Sequence, residues 1–485
     1  MAGNERIARR GLLAATAAAT AAAVLAPVTA VAAPAAAKDA GTGAGTGTGA
    51  GADPATARRS VVVEALEGVA RPLRTTEPGG GTADLSALVR MIGDAEVVGL
   101  GEATHGSHEF FAMKHRLFRC LVEERGFTTF ALETSWTSGL RIDEYVRGGP
   151  GDARQVVKEA LGDSPWDREE FADLIAWMRS YNAGHPRKPV RFLGDDLGLP
   201  RLGDRIFDEV TSYVRGARPD LLPRLEGLYA GLRPFDDAFA HLKRPLAERR
   251  DDAATAQRAL DLVTAVGAGD GDGTTDGTTD GARGGASGDD AHAWAVQHAR
   301  NIAQTFAFAA MDLDDPASVS ASEQLRDRAM ADNTAWWQRR TGGRVLLSAH
   351  NGHVGYLSTD TFLYPHPQGA RLREAYGGGY VAVGFSFAGG SFLTNDAVLS
   401  SDWKTVTVPA ATPEMNEYTL DRVRHRDYYV DLRTAPRAAR DWLDVSRPTY
   451  DAGSVYVADP MPRLAIGRAY DVLVHLHQVT QARKF

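Results

Sequence analysis

The sequence predicts an α/β fold: a central, mostly parallel sheet flanked by helices and carrying a large helical insertion. Three features predict it. A strand–helix–strand unit lies within residues 96–132. Further short apolar runs end in glycine or in polar residues. Two long stretches that read as helix, about 203–265 and 291–340, separate the third run from the fourth.

Each element has a local reason. Glu96 to Gly101 (EVVGLG) is a short apolar run closed by glycine, the mark of a buried strand. Ser107 to Glu124 repeats apolar residues at helical spacing, with Phe110, Met113, Leu117 and Leu121 on one stripe, and Gly126 stops it. Thr128 to Leu132 (TTFAL) is the next strand. Two strands joined through a helix run parallel with a right-handed crossover. Val190 to Leu193 leads into Gly194-Asp195-Asp196, and Arg344 to Ser348 into Ala349-His350-Asn351-Gly352-His353. Tyr380 to Phe385 follows the turn Gly377-Gly378-Gly379. A helix from Asp167 to Tyr181 is expected to open on a capping box, Asp167-x-x-Glu170, and to bury Phe171, Leu174 and Met178.

Composition narrows the class. The chain has 485 residues, 44% hydrophobic and 24% charged, with a net charge of -8. That balance excludes a wholly disordered or fibrous chain, and the mild acidity offers no footprint for nucleic acid. The single cysteine, Cys120, excludes an intramolecular disulfide framework and sits among apolar helix positions as a buried, inert thiol.

The N-terminus reads as an address. Arg9-Arg10 precede a long alanine-rich run, and Ala30-Val31-Ala32 fits a small-residue cleavage site. Residues 1–32 are therefore expected to be a signal peptide of the twin-arginine type, giving a secreted protein without a membrane span. Residues 33–60, rich in Gly, Ala and Thr, read as a flexible linker, and 61–485 as the folded domain with its helical insertion at about 203–340. Inside the insertion, 267–290 is a low-complexity loop. Its aspartates imitate a calcium loop, but the position where that loop needs Glu, counted from Asp270, is Gly281.

The polar residues fall in a pattern. Glu102 and His105 follow the first strand, Glu133 the second, Asp195 and Asp196 the third, and His350 and His353 the fourth. In a parallel sheet these carboxyl ends share one edge, where ligands bind. With strands roughly 4.8 Å apart, two histidines and two carboxylates can converge there. Glu133 is expected on the strand next to that of Glu102. Five of the 13 histidines lie in two short segments, His105, His108, His115, His350 and His353. Imidazole suits proton transfer near neutral pH, and a neighbouring carboxylate fixes its tautomer. His108 reads as the start of the helix rather than part of the pocket. Lys114 lies on the apolar stripe, either as a snorkelling residue or as a cation aimed into the polar pocket.

The segments Gly101-Glu102-Ala103-Thr104-His105-Gly106 and Ala349-His350-Asn351-Gly352-His353 resemble the erythromycin esterase family. Ala131-Leu132-Glu133, Gly194-Asp195-Asp196, Arg326-Asp327-x-x-Met330-Ala331-x-Asn333 and Tyr470-Asp471-Val472-Leu473 extend the resemblance over roughly Val61 to Thr480. The resemblance implies hydrolysis of a macrolide lactone, with His105 as general base, Glu102, Glu133, His350 and His353 as further catalytic residues, and no cofactor. It matches a basic residue of the family to Lys114, where arginine is usual. Lys114 and Asp196 are expected to bind the small-molecule ester.

Other chemistries stay open at this level. His105, Glu133, His350 and His353 are acceptable ligands for a divalent metal. Ser386 in Gly384-Phe385-Ser386-Phe387-Ala388 imitates a nucleophile elbow, but its last position is Ala and no helix is evident after it, so it reads as a sheet residue. A macrolide- or polysaccharide-binding protein without turnover is the remaining alternative.

Overall fold

The structure is a computed structural model and describes residues 54–162, 164–266, 288–396 and 402–485. The expected signal peptide lies outside the described residues, as do most of the linker and of the low-complexity loop. Two boundaries differ from the sequence reading. A helix, Pro54–Val69, begins inside the span read as linker, and another, Gly288–Ala309, begins inside the last residues of the low-complexity loop.

The main sheet has eight strands: β1 (Arg71–Pro72), β2 (Val97–Leu100), β3 (Phe127–Ser135), β4 (Arg191–Asp196), β5 (Arg344–Ser348), β6 (Tyr380–Phe387), β9 (Tyr428–Asp431) and β12 (Val472–Leu476), in the order β1-β9-β12-β6-β2-β5-β3-β4. The strands from β12 to β4 in that order are parallel, while β9 and β1 extend the sheet antiparallel. Two small antiparallel pairs lie outside it: β7 (Gly390–Thr394) with β8 (Lys404–Val408), and β10 (Arg447–Pro448) with β11 (Arg463–Leu464). The α/β class and the helical insertion are as expected: between β4 and β5 the described chain is mainly helical from Asp204 to Thr341.

Alternation along the strands divides two cores. Val98, Leu100, Phe130, Leu132 and Leu346 face the core shared with the His108–Arg125 and Glu169–Gly184 helices. Val97, Ala131, Leu193, Val345 and Leu347 face the core shared with the insertion. The His108–Arg125 helix buries Phe110, Met113, Leu117 and Leu121, as its periodicity requires, and ends at Gly126 in the left-handed region (φ 67°). Cys120 is buried in it, and burial, with Glu124 beside it, pushes its thiol up to about 12.

Two expectations are corrected. β5 lies between β2 and β3, so the first and second strands of the sequence are not neighbours. The returning chain is inserted between them after the whole helical insertion, which local sequence does not encode. The capping box is also absent. The helix starts at Glu169, its N-cap is Arg168, and the Arg168 side chain makes no capping bond. Glu170 is engaged elsewhere, with His108 at 2.5 Å and with Arg483 at 3.1 Å.

Candidate active site

The carboxyl ends of β2, β5, β3 and β4 bring the polar residues to one edge. After β2 the chain turns through Glu102 to His105. His105 Nδ1 lies 2.5 Å from Glu102 Oε1, and Lys114 Nζ pairs with the other oxygen, Oε2. Glu102 is 0% exposed and Lys114 1%, so this ion pair is sealed from water. Burial alone would raise the Glu102 carboxyl, but the Lys114 ammonium and the His105 ring outweigh it and hold it below the usual range. The carboxylate therefore accepts Nδ1–H of His105, which leaves Nε2 as the basic nitrogen.

The second half of the edge is built around Glu133. Its Oε2 accepts the backbone N–H of His350 at 2.8 Å, and its Oε1 pairs with Arg326 at 2.9 Å and lies 3.3 Å from His353 Nε2. Burial would raise Glu133, but chiefly His353, with His105 and Arg326, holds it well below the usual range. His353 has carboxylates at both nitrogens, with Nδ1 2.7 Å from Asp327. Against the effect of burial, Glu133 and Asp327 raise it well above an ordinary histidine, so it is an imidazolium. Arg326 also takes Asp196 in a side-on contact, at 2.6 and 2.9 Å.

A loop far along the chain closes the site. His105 N–H donates to Gly453 O at 2.9 Å, and Gly453 N–H lies 3.2 Å from His350 Nε2. Asp451 Oδ1 is 2.9 Å from the same nitrogen. Asp451 and Glu133 raise His350 despite its burial. The His105 and His350 rings are 5.2 Å apart, and Trp166 packs edge-on against His105 at 5.4 Å. Gly453 adopts φ 46°, which favours glycine. A Cβ built there would lie 3.8 Å from His105 Nε2 and 3.8 Å from His350 Nε2. The missing side chain leaves a gap that faces both basic nitrogens.

Placed against expectation, the residues divide. His105 with Glu102, and His350 and His353 with Glu133, come together in one site. Glu133 belongs with the late histidines, because β5 separates it from the strand of Glu102. Lys114 points toward the site but is sealed against Glu102, and Asp196 is held by Arg326. Asp195 turns away: Gln368 and Thr334 donate to its Oδ2 at 2.7 and 3.0 Å, and burial, reinforced by Asp196, raises it well above the usual range. His108 starts its helix, bound to Glu170 and Glu77. His115 is a core residue that burial lowers to about 3.

Sequence reasoning missed Asp451, Gly453 and Trp166, which lie in irregular loops. It quoted Arg326-Asp327 as a motif without giving either residue a role. The signal was available: an adjacent Arg-Asp pair in a long helix, both largely buried. Among the described residues, no group of three His, Cys, Asp or Glu side chains is arranged to hold a metal ion. A wider cleft of about 720 Å³ opens on the insertion side, lined by residues such as Arg191, Arg205 and His298. Its charges pair with one another, Arg191 with Asp143 at 2.7 Å and His298 with Glu209 at 3.0 Å, so it holds no comparable reactive set.

The profile of the erythromycin esterase family matches residues 122–479, more than half of the chain. The chain belongs to the erythromycin esterase family. The matched stretch starts downstream of Glu102, His105 and Lys114. An erythromycin esterase type II from Escherichia coli is 27% identical over 338 residues, 65% of this chain and 74% of that one. A crystal structure of a Bacillus cereus protein superposes with a TM-score of 0.76 at 29% identity, over 88% of this chain and 99% of the other. A structure described as a succinoglycan biosynthesis protein does so with a TM-score of 0.74 at 29% identity, over 88% and 98%. The fold shared with these two structures thus extends over 88% of the chain, more than the family profile spans.

Proposed function

We propose that this protein is an exported carboxylic ester hydrolase that opens the lactone of a macrolide, using His105 as the general base for water. The observation that carries this reading is the buried Lys114–Glu102–His105 chain, which ends at a basic Nε2 facing the gap at Gly453. The family and the Escherichia coli relative support the substrate class. The Arg9-Arg10 start and the Ala30-Val31-Ala32 site support export.

The chemistry follows from the groups present. Glu102 accepts Nδ1–H of His105, orients the ring and stabilises the imidazolium that forms when Nε2 takes a proton from water. Lys114 keeps Glu102 ionised in a site where burial opposes charge. The water attacks the ester carbonyl. Negative charge then develops in the gap that faces His350, an imidazole raised, against burial, by Asp451 and Glu133 and held in a fixed position that needs no reorganisation. His105 returns its proton to the departing alkoxide, which ends as the free hydroxyl of the opened ring.

The test is incubation of the mature protein with a panel of macrolides and simple aryl esters. The expected product is one water heavier than its macrolide. Binding of macrolides without any such product, at every pH tried, would overturn the reading in favour of a binding protein.

A further inference from the structure

Ser386, in the sequence that imitates a nucleophile elbow, is a β6 residue. It is 3% exposed and hydrogen bonded to His475 Nδ1 at 2.8 Å, its register partner on β12. Continuing outward, His475 Nε2 lies 3.6 Å from Asp421 Oδ1, longer than a hydrogen bond, and has no other partner. Asp421 is 28% exposed and binds His477 at 2.6 Å. This array cannot attack an ester. The space at Ser386 is a cavity of about 10 Å³, room for one water and nothing larger.

That cavity reaches the candidate active site. Asp451, Asn351, Thr449, Ser386, Tyr450 and Tyr470 supply its polar lining, and the Tyr450 hydroxyl donates to Pro409 O. The Asn351 amide is used on both sides by Phe385, at 2.8 and 3.0 Å, and the Thr449 hydroxyl donates to Glu417. Of the groups that remain, two stand at the ends of the path. Asp451 Oδ1 is buried without a hydrogen bond, although His350 Nε2 stands 2.9 Å away, and the Ser386 oxygen can take a second bond.

We propose that one water in this cavity joins Asp451 to Ser386 and completes a proton path from the His105–His350 pair to the surface at Asp421. The inference rests on the esterase reading. Hydrolysis of an ester near neutral pH yields an alcohol, a carboxylate and one proton that must leave. With substrate in the mouth, His105 and His350, whose side chains are only 9% and 15% exposed even when it is open, lose contact with bulk water.

The transfers balance. The proton of the product carboxylic acid passes to His350 Nε2 at the gap, from His350 Nε2 to Asp451 Oδ1, and from Asp451 to the water. The water gives one of its own hydrogens to Ser386 Oγ as the Ser386 hydroxyl hydrogen moves to His475 Nδ1. His475 Nε2–H goes to Asp421, whose side chain rotates to close the 3.6 Å gap and then releases the proton to solvent. Each group ends with its original number of protons. His475 changes tautomer and resets by ring rotation. Burial keeps His475 neutral, the state such a relay requires.

Two experiments test the path. A high-resolution crystal structure of the mature protein should show an ordered water within hydrogen-bond distance of Asp451 Oδ1 and Ser386 Oγ. A dry cavity overturns the proposal, whether or not the protein cleaves esters. The second compares ester hydrolysis by wild type, Ser386→Ala, His475→Gln and Asp421→Asn, the last partly exposed and so the least disruptive to folding. In dilute buffer the variants should lose kcat several-fold with KM unchanged, and added imidazole should restore it while leaving wild type unaffected. Unchanged kcat in folded variants, or a loss that imidazole does not rescue, overturns the path. Inactivity of wild type counts against the esterase reading alone, and the cavity water still decides the path.

Discussion

His105 Nδ1 stands 2.5 Å from Glu102 Oε1, three residues earlier in the chain. The contact is made within a short loop after β2, so no residue of the helical insertion takes part in it. Its strength comes from elsewhere in the sequence. Lys114, on the helix that follows, sits on the opposite oxygen of Glu102 and keeps the carboxylate charged where water cannot reach it.

Lys114→Met should destabilise the fold by about 3–5 kcal/mol, the cost of leaving one partner of a buried ion pair uncompensated. Replacing both partners, Lys114→Met with Glu102→Gln, should recover much of that loss while leaving turnover low, because His105 loses its carboxylate. Urea unfolding and ester turnover on the same samples check both halves.

Gly453→Ala places a methyl group in the gap between His105 Nε2 and His350 Nε2 at a backbone position with φ 46°. The left-handed conformation should cost about 1–2 kcal/mol of stability. The Cβ meets those ring atoms at ordinary contact distance, so the protein should fold, with the water displaced and kcat sharply reduced. Melting temperature and kcat together check this; a folded variant with wild-type kcat would place the attacking water elsewhere.

His108 gives stability a pH dependence separate from catalysis. Its bond to Glu170, helped by Glu77, raises it from 6.5 to about 9, against the effect of burial. A group raised in the folded state stabilises fully below its unfolded value and loses that contribution as pH rises through its folded value. The His108 contribution should therefore be complete below pH 6.5 and fade toward about 9. Unfolding free energies of wild type and His108→Gln across that window should converge as pH rises.

The edge of the sheet was legible because it depends on local signals. Short apolar runs stop at glycine or polar residues, and parallel strands put their carboxyl ends together. Strand order was not. Glu133 was expected beside Glu102, but β5 returns between β2 and β3 only after the whole insertion, and it separates them. The Asp167-x-x-Glu170 box failed for a related reason: a tertiary partner, His108, takes the glutamate that a local cap would need. Val472–Leu476 escaped notice as a strand although it is a plain apolar run around His475, and with it went β9, which pairs only with that strand and the two-residue β1. Asp451 and Gly453 carry no periodicity, and only the folded chain shows that their loop touches both histidines.

The most direct test of the central claim is ester turnover by His105→Asn beside His108→Asn, with melting curves to show that both are folded. The two histidines are three residues apart and both contact a carboxylate, but only His105 faces the gap at Gly453. The account predicts that His105→Asn lowers kcat by about 10²–10⁴, the size of a general-base contribution, while His108→Asn leaves kcat near wild type and costs stability. Equal, small losses of kcat at both positions would contradict it and make His105 a structural residue of the loop.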